Sequence, residues 1–285
     1  MVFILNDRSI RNPTVAGSFY PLDPVELSKT IASLFAQASK VDIFGKLVGL
    51  VSPHAGYIYS GQVAATGFKL LEGRSYDLVV VISPSHTAYF DGVSVFPGQA
   101  YKTPLGQIEI ARDLVEEIAL GSNVVKEDNI GHADDGSRGE HALEVQLPFL
   151  QIALQKFKLL PLVMGDQSYS VCESLADDLS RVLKDKNALV VASTDLSHFH
   201  SSAEAGKMDG MFIQEFENFR PRELANLISS GKSEACGGGP VISLMLYAQR
   251  LGSPKAVKLM YDDSATASKD RSNVVGYLSG AVVLG

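Results

Sequence analysis

Short, nearly uninterrupted apolar runs alternate with amphipathic stretches along this chain. Lys46–Ser52 (KLVGLVS), Asp77–Ser83 (DLVVVIS), Lys158–Met164 and Ala188–Ser193 (ALVVAS) are dominated by Val, Leu and Ile. Runs of this length without polar alternation predict strands buried on both faces. Gly92–Phe96 followed by Ile108–Ile110 predicts a hairpin-like pair, and Ala256–Tyr261 and Asn273–Leu284 predict the last strands. Between them, helices are predicted over Gly61–Leu71, Glu109–Leu120, Glu140–Leu154, Val171–Leu183, Ala203–Phe219, Arg222–Ser229 and Gly239–Leu251. Pro148 predicts a kink or break within Glu140–Leu154. Strand and helix alternate over most of the chain. That order predicts an α/β fold with a central, mostly parallel sheet flanked by helices. No linker or shift in composition interrupts the pattern, so the 285 residues read as a single domain.

Composition narrows the class. With 46% hydrophobic residues, 20% charged residues and a net charge of −7, the chain has the make-up of a soluble globular protein. An acidic chain without a Lys/Arg run has no electrostatic footprint for nucleic acid. The apolar runs fall far short of the roughly 18 residues a membrane span needs. The apolar start MVFIL lacks the basic flank and cleavage site of a signal peptide. Two cysteines, Cys172 and Cys236, cannot form a disulfide framework, so a reducing, cytoplasmic location is expected. Cys172 lies in an amphipathic stretch and reads as core.

Three of the apolar strands run into polar, turn-rich motifs. These are Val51–Gly61 (VSPHAGYIYSG) with His54 and Tyr57, Ile82–Thr87 (ISPSHT) with His86, and Ser193–His200 (STDLSHFH) with Asp195, His198 and His200. Ligands of open α/β sheets bind beyond the carboxyl ends of the strands, so parallel strands would bring all three motifs together. His54 and His86 are 32 residues apart, about one βαβ unit, which predicts side chains at the ends of neighbouring strands. Imidazole is the commonest metal ligand, and the candidate third ligand is Cys236 in Glu234–Pro240 (EACGGGP). It stands before a predicted helix, whose dipole favours the thiolate.

Each feature also has a plainer reading. A histidine at a strand end is often a hydrogen-bonded structural residue, and Cys236 reads equally as a small buried one. Gly237–Gly239 is a candidate anion site at a helix N-terminus. Asp134–Gln146 (DDGSRGEHALEVQ) places Glu140 and Glu144 four apart on one helix face, where they read as solvated or capping carboxylates, with His141 at the helix start. His132 and His200 read as solvent-exposed. Asp195 and His198 are a candidate acid–base pair or a loop cap with a neighbouring histidine. Dinucleotide, Walker, Cys-x-x-Cys and Gly-x-Ser-x-Gly signatures are all absent.

Taken together, the motifs resemble the Memo-like proteins, component B of the AmmeMemoRadiSam group. The resemblance rests on Ala16–Pro21 (AGSFYP), Pro53–Gly56 (PHAG), Pro84–His86 (PSH), Tyr101–Leu105 (YKTPL), Glu140–Leu150 (EHALEVQLPFL), Ser193–Phe199 (STDLSHF) and Cys236–Pro240, in that order along the chain. It implies a fold like that of the class III extradiol dioxygenases, which hold non-haem iron with two histidines and a carboxylate. Carried over, it implies His54, His86 and Cys236 as metal ligands, with Cys236 in the carboxylate position. Asp195 and His198 would line the pocket, His198 as the acid–base group, with Tyr57 or Asp195 orienting a substrate. The implied cofactor is Fe(II), with Cu or Zn as alternatives, because thiolate is softer than carboxylate. The group's name implies a radical-SAM or AMMECR-type protein partner. Three readings follow: an oxidoreductase acting on a small aromatic substrate with dioxygen, a metal-binding or redox protein without turnover, and a peptide-binding module. Metal-assisted hydrolysis is a fourth.

Overall fold

The computed structural model describes residues 10–132, 139–154 and 156–285. Along the chain the elements are β1 (Ile10–Arg11), α1 (Pro24–Gln37), β2 (Lys46–Ser52), α2 (Tyr57–Phe68), β3 (Leu78–Pro84), β4 (Val93–Val95), β5 (Ala100–Thr103), β6 (Gly106–Glu109), α3 (Arg112–Gly121) and β7 (Val125–Glu127). They continue as α4 (Leu147–Leu154), β8 (Lys158–Met164), α5 (Tyr169–Val182), β9 (Ala188–Ser193), β10 (His198–His200), α6 (Ser202–Glu217), α7 (Pro221–Ser229), α8 (Gly238–Leu251), β11 (Pro254–Asp263), α9 (Ala265–Ser268) and β12 (Val274–Leu284).

This is a mixed α/β fold built on one large sheet flanked by helices. The strand order is β10-β12-β2-β9-β3-β8-β4-β7, with β11 also paired to β12. The centre, β2-β9-β3-β8, is parallel. Its strands are the four apolar runs seen in the sequence, and their residues are buried almost throughout. Outside this centre β12 runs antiparallel to β2 and β4 antiparallel to β8, so the sheet as a whole is mixed, not mostly parallel. Helix α2 packs on one face, where Gly67 meets Ser279 of β12. On the other face Gly280, the next residue of β12, meets Phe216 of α6. Helices α7, α8 and α5 continue that second layer.

Several local expectations change. The predicted hairpin does not form: β4 joins the large sheet, while β6 turns back onto β5 in a separate three-stranded sheet with β1. The intervening Ala100–Thr103 is itself a strand, and it captures β6 through a turn at Gly106, whose φ is +122°. Pro148 occupies the first turn of α4, where a missing N–H costs nothing, and so marks a helix start. Residues 140–143 therefore lie outside a helix, and Glu140 and Glu144 do not share a helix face. Helix α1, absent from the sequence reading, begins at the Asp23 side chain, which caps the Val25 and Glu26 N–H groups. It buries Leu27, Ile31 and Phe35 at four-residue intervals. Residues 134–138 of the acidic cluster and the apolar N-terminal run lie outside the described residues.

Candidate metal centre

Strands β2 and β3 are not neighbours, contrary to the βαβ spacing: β9 is inserted between them. The insertion helps build the site. His54, His86 and Asp195 each stand two residues beyond the end of β2, β3 and β9 respectively. Since the three strands are parallel and in register, their loops emerge on one edge of the sheet.

Cys236 reaches the same place from the turn before α8. Its backbone N–H donates to the Asp195 carbonyl (3.2 Å), and the Asp195 N–H points to its sulfur (3.2 Å). Gln167 clasps the turn, donating to the Cys236 carbonyl (2.8 Å) and accepting from the Gly239 N–H (2.8 Å). Gly237 must be glycine for space: a Cβ there would lie 2.1 Å from the Ser193 carbonyl oxygen. The three glycine N–H groups are all used internally, by Thr194 Oγ1, the Ala235 carbonyl and Gln167 Oε1. The anion-cradle reading of Gly237–Gly239 is thereby overturned.

The side chains of His54, His86 and Cys236 each present a donor atom, all within 4.8 Å of one another. His54 Nε2 lies 3.2 Å from Cys236 Sγ. With bonds of about 2.05 Å to nitrogen and about 2.3 Å to sulfur, one metal ion would separate these atoms by about 3.1 Å at a right angle and about 3.6 Å at the tetrahedral angle. The observed spacing lies between these values, and the soft–borderline donor set suits Fe(II), Cu or Zn. The residues fit a transition metal.

Around these donors, Glu140 is buried, not solvated. Its carboxylate accepts from the His86 backbone N–H, from His86 Nδ1 (3.1 Å) and from the N–H groups of His141 and Ala142. Burial pushes its pKa up, but the bond and charge of His86 and these N–H groups bring it down to about 2. For His86 burial pulls down, and Glu140 more than restores the balance, raising it above the usual value. Burial, with three other histidines nearby, drives His54 well below the usual range. His141 stacks on the His86 ring (centroids 4.8 Å apart) and meets Phe19 edge-on. A second donor group, His86, Glu140 and His141, thus adjoins the first.

The thiolate expectation for Cys236 fails. Burial, reinforced by Asp195, raises its pKa, so in the absence of a metal it is a thiol. Asp195 accepts from the His54 N–H (2.8 Å), and burial raises its pKa to about 7. Half-buried His198 has its backbone held by Glu234, which also takes His200 Nε2 (3.0 Å), so His200 is a paired residue instead of a free exposed one. Tyr57 does not line the site. Its hydroxyl donates to the Val145 carbonyl (2.8 Å), and its ring packs against Tyr20 and Phe149. His132 is likewise buried, bridging the Tyr101 hydroxyl and the Ser94 carbonyl. Cys172 is buried in α5 as expected. Sequence reading missed the supporting roles of Glu140, His141, Gln167 and Glu234, although the Glu140–His141 pair stood in a flagged cluster.

A mixed α/β scaffold with two histidines and a cysteine converging on one edge is the class these features define. The chain belongs to the Memo-like family, whose sequence model, Memo-like protein, matches residues 11–281. Among similar proteins, MEMO1 family proteins of Nitrosopumilus maritimus and Aquifex aeolicus are 32% and 37% identical. Each alignment covers 94% of this chain, with 98% and 97% of the relative. A solved structure, an uncharacterized protein of Escherichia coli K12, shares the fold with a TM-score of 0.50 at 13% identity. It matches over 84% of this chain and 100% of its own. Among the described residues, no helix is long and apolar enough to cross a membrane.

Proposed function

We propose that this protein is a metal-dependent oxidoreductase of the class III extradiol dioxygenase type, in which His54, His86 and Cys236 hold the ion. The carrying observation is the convergence of three donor atoms from distant segments within 4.8 Å of one another. Fe(II) is the preferred ion. When bound, it would supply Lewis acidity and open positions for dioxygen and a small aromatic substrate. The chain's own residues do the rest. Asp195 fixes the loop of His54 through its backbone N–H. His198, kept in its neutral form by burial, is the residue we assign to accept a proton from a substrate hydroxyl and return it. Phe19 and His141 offer aromatic faces beside the donors. The second reading, a metal or redox protein without turnover, is favoured by the thiol in the third position, which makes the site softer and oxidisable.

Elemental analysis of protein purified without oxygen, beside Cys236→Ser, tests this reading. About one equivalent of iron, lost in the variant, supports it. Catechols supplied with oxygen then give turnover that His198→Ala abolishes while retaining the metal. Copper or zinc without turnover supports the second reading, and no metal after reconstitution overturns both.

A further inference from the structure

We infer that Ser193 is a positioning residue that locks His54 in the Nδ1–H tautomer, holding a bare Nε2 towards Cys236. This deepens the metal-site reading and follows from counting hydrogens. Gln146 Nε2 has two hydrogens, and it lies 3.0 Å from the Pro53 carbonyl and 2.8 Å from Ser193 Oγ. A carbonyl only accepts, so the amide nitrogen is correctly placed and donates to both. Ser193 Oγ has one hydrogen and sits 2.7 Å from the Ala142 carbonyl, which again only accepts. That hydrogen is therefore spent.

The remaining contact of Ser193 Oγ is His54 Nδ1, at 2.8 Å. With its own hydrogen committed, the hydroxyl can only accept there, so Nδ1 carries a hydrogen. In the neutral ring Nε2 is then a lone pair, and it is the nitrogen 3.2 Å from Cys236 Sγ. Turning the hydroxyl hydrogen towards Nδ1 would strip the Ala142 carbonyl of its bond. Ser193 has no exposed surface and His54 is 2% exposed, so bulk water cannot make good the loss. The arrangement parallels His86, whose Nδ1 faces Glu140. Both rings are thus held from behind, one by a neutral hydroxyl and one by a carboxylate, with their Nε2 atoms left for the site. Partners that hold a ligating histidine from behind typically change metal affinity by about 10–100-fold when lost.

The test is a long-range proton–nitrogen NMR spectrum of metal-free, histidine-labelled protein, with His54 assigned by the signals missing in His54→Gln. The expected result is the Nδ1–H pattern. An Nε2–H pattern in the wild-type protein overturns the inference, whatever the Ser193 variants show. Zn²⁺ titration then reads the consequence. Ser193→Ala should lose the pure Nδ1–H pattern and bind Zn²⁺ about 10–100-fold more weakly, and Ser193→Thr, which keeps the hydroxyl, should restore both. Unchanged tautomer and affinity in Ser193→Ala overturn the assignment. Wild-type protein that shows Nδ1–H yet binds no metal overturns the proposed function and leaves the tautomer lock standing.

Discussion

The carboxylate of Glu140 holds His86 at two points, taking its backbone N–H and its ring Nδ1–H. One buried side chain thus fixes both the loop after β3 and the direction of the ring. Glu140→Gln keeps the shape and removes the charge. It is expected to weaken Zn²⁺ binding by about 10–100-fold with the far-ultraviolet circular dichroism unchanged. Calorimetric titration of both proteins checks this, and equal affinities would detach Glu140 from the site.

Gly237→Ala should act on the other side of the centre. Its Cβ would collide with the Ser193 carbonyl oxygen, so the turn bearing Cys236 must shift. Overpacking of this kind costs about 1–3 kcal/mol. The expected outcome is a folded protein with a lower melting temperature and at least tenfold weaker Zn²⁺ binding. A variant that melts and binds like the wild type would show that the turn is not tightly seated.

Arg11 anchors the opposite end of the network. It pairs with Glu144, donates to the Glu140 carbonyl and is only 2% exposed. Glu144 also accepts from the Thr14 and Val15 N–H groups and the Tyr20 hydroxyl. Arg11→Met would leave a buried carboxylate without its cation, a loss of about 3–5 kcal/mol. Urea denaturation measures it directly. Arg11→Met combined with Glu144→Leu should recover part of the loss, and a single variant within 1 kcal/mol of wild type (roughly the value of an exposed pair) would contradict the picture.

Acid sensitivity should be traceable to His132. Burial, offset partly by the Ser94 carbonyl, lowers its pKa to about 3. The unfolded chain, with a value near 6.5, binds the proton first. The stability from a neutral His132 is therefore full above about pH 6.5 and drains away as pH falls towards 3. Between pH 7.5 and 5.5 the loss from this one group is about 1.4 kcal/mol. His132→Gln should show a correspondingly shallower decline in unfolding free energy, and parallel pH profiles for the two proteins would refute the assignment.

The central strands and most helices were legible because their apolar periods are local properties. The loops carrying His54, His86 and Asp195 were legible for the same reason: each follows directly on a buried strand. The insertion of β9 between β2 and β3 was not, because spacing along the chain does not reveal which later strand returns to the middle. Glu140 and Glu144 were misread as solvated because they were placed on one face of a helix that does not form, and His132 because its loop is rich in polar residues. What buries them is Arg11, Thr14, Tyr20 and Tyr101, and for Glu144 the partners lie more than 120 residues away. Tyr57 erred the other way, standing beside a site motif in sequence yet facing the core as the first residue of α2.

Cys236 and His54, whose side chains meet, are 182 residues apart. A ribosome adding about 5–20 residues per second needs about 10–35 seconds to travel between them. For most of that interval, once His86 has followed His54, the nascent chain carries two histidine donors without the sulfur that completes the set. Strand β12, which flanks β2 in the finished sheet, is made later still. Any ion the centre takes is therefore acquired only once Cys236 has been made, from whatever metal pool the chain then meets, and a fragment ending before residue 236 has no such centre to fill.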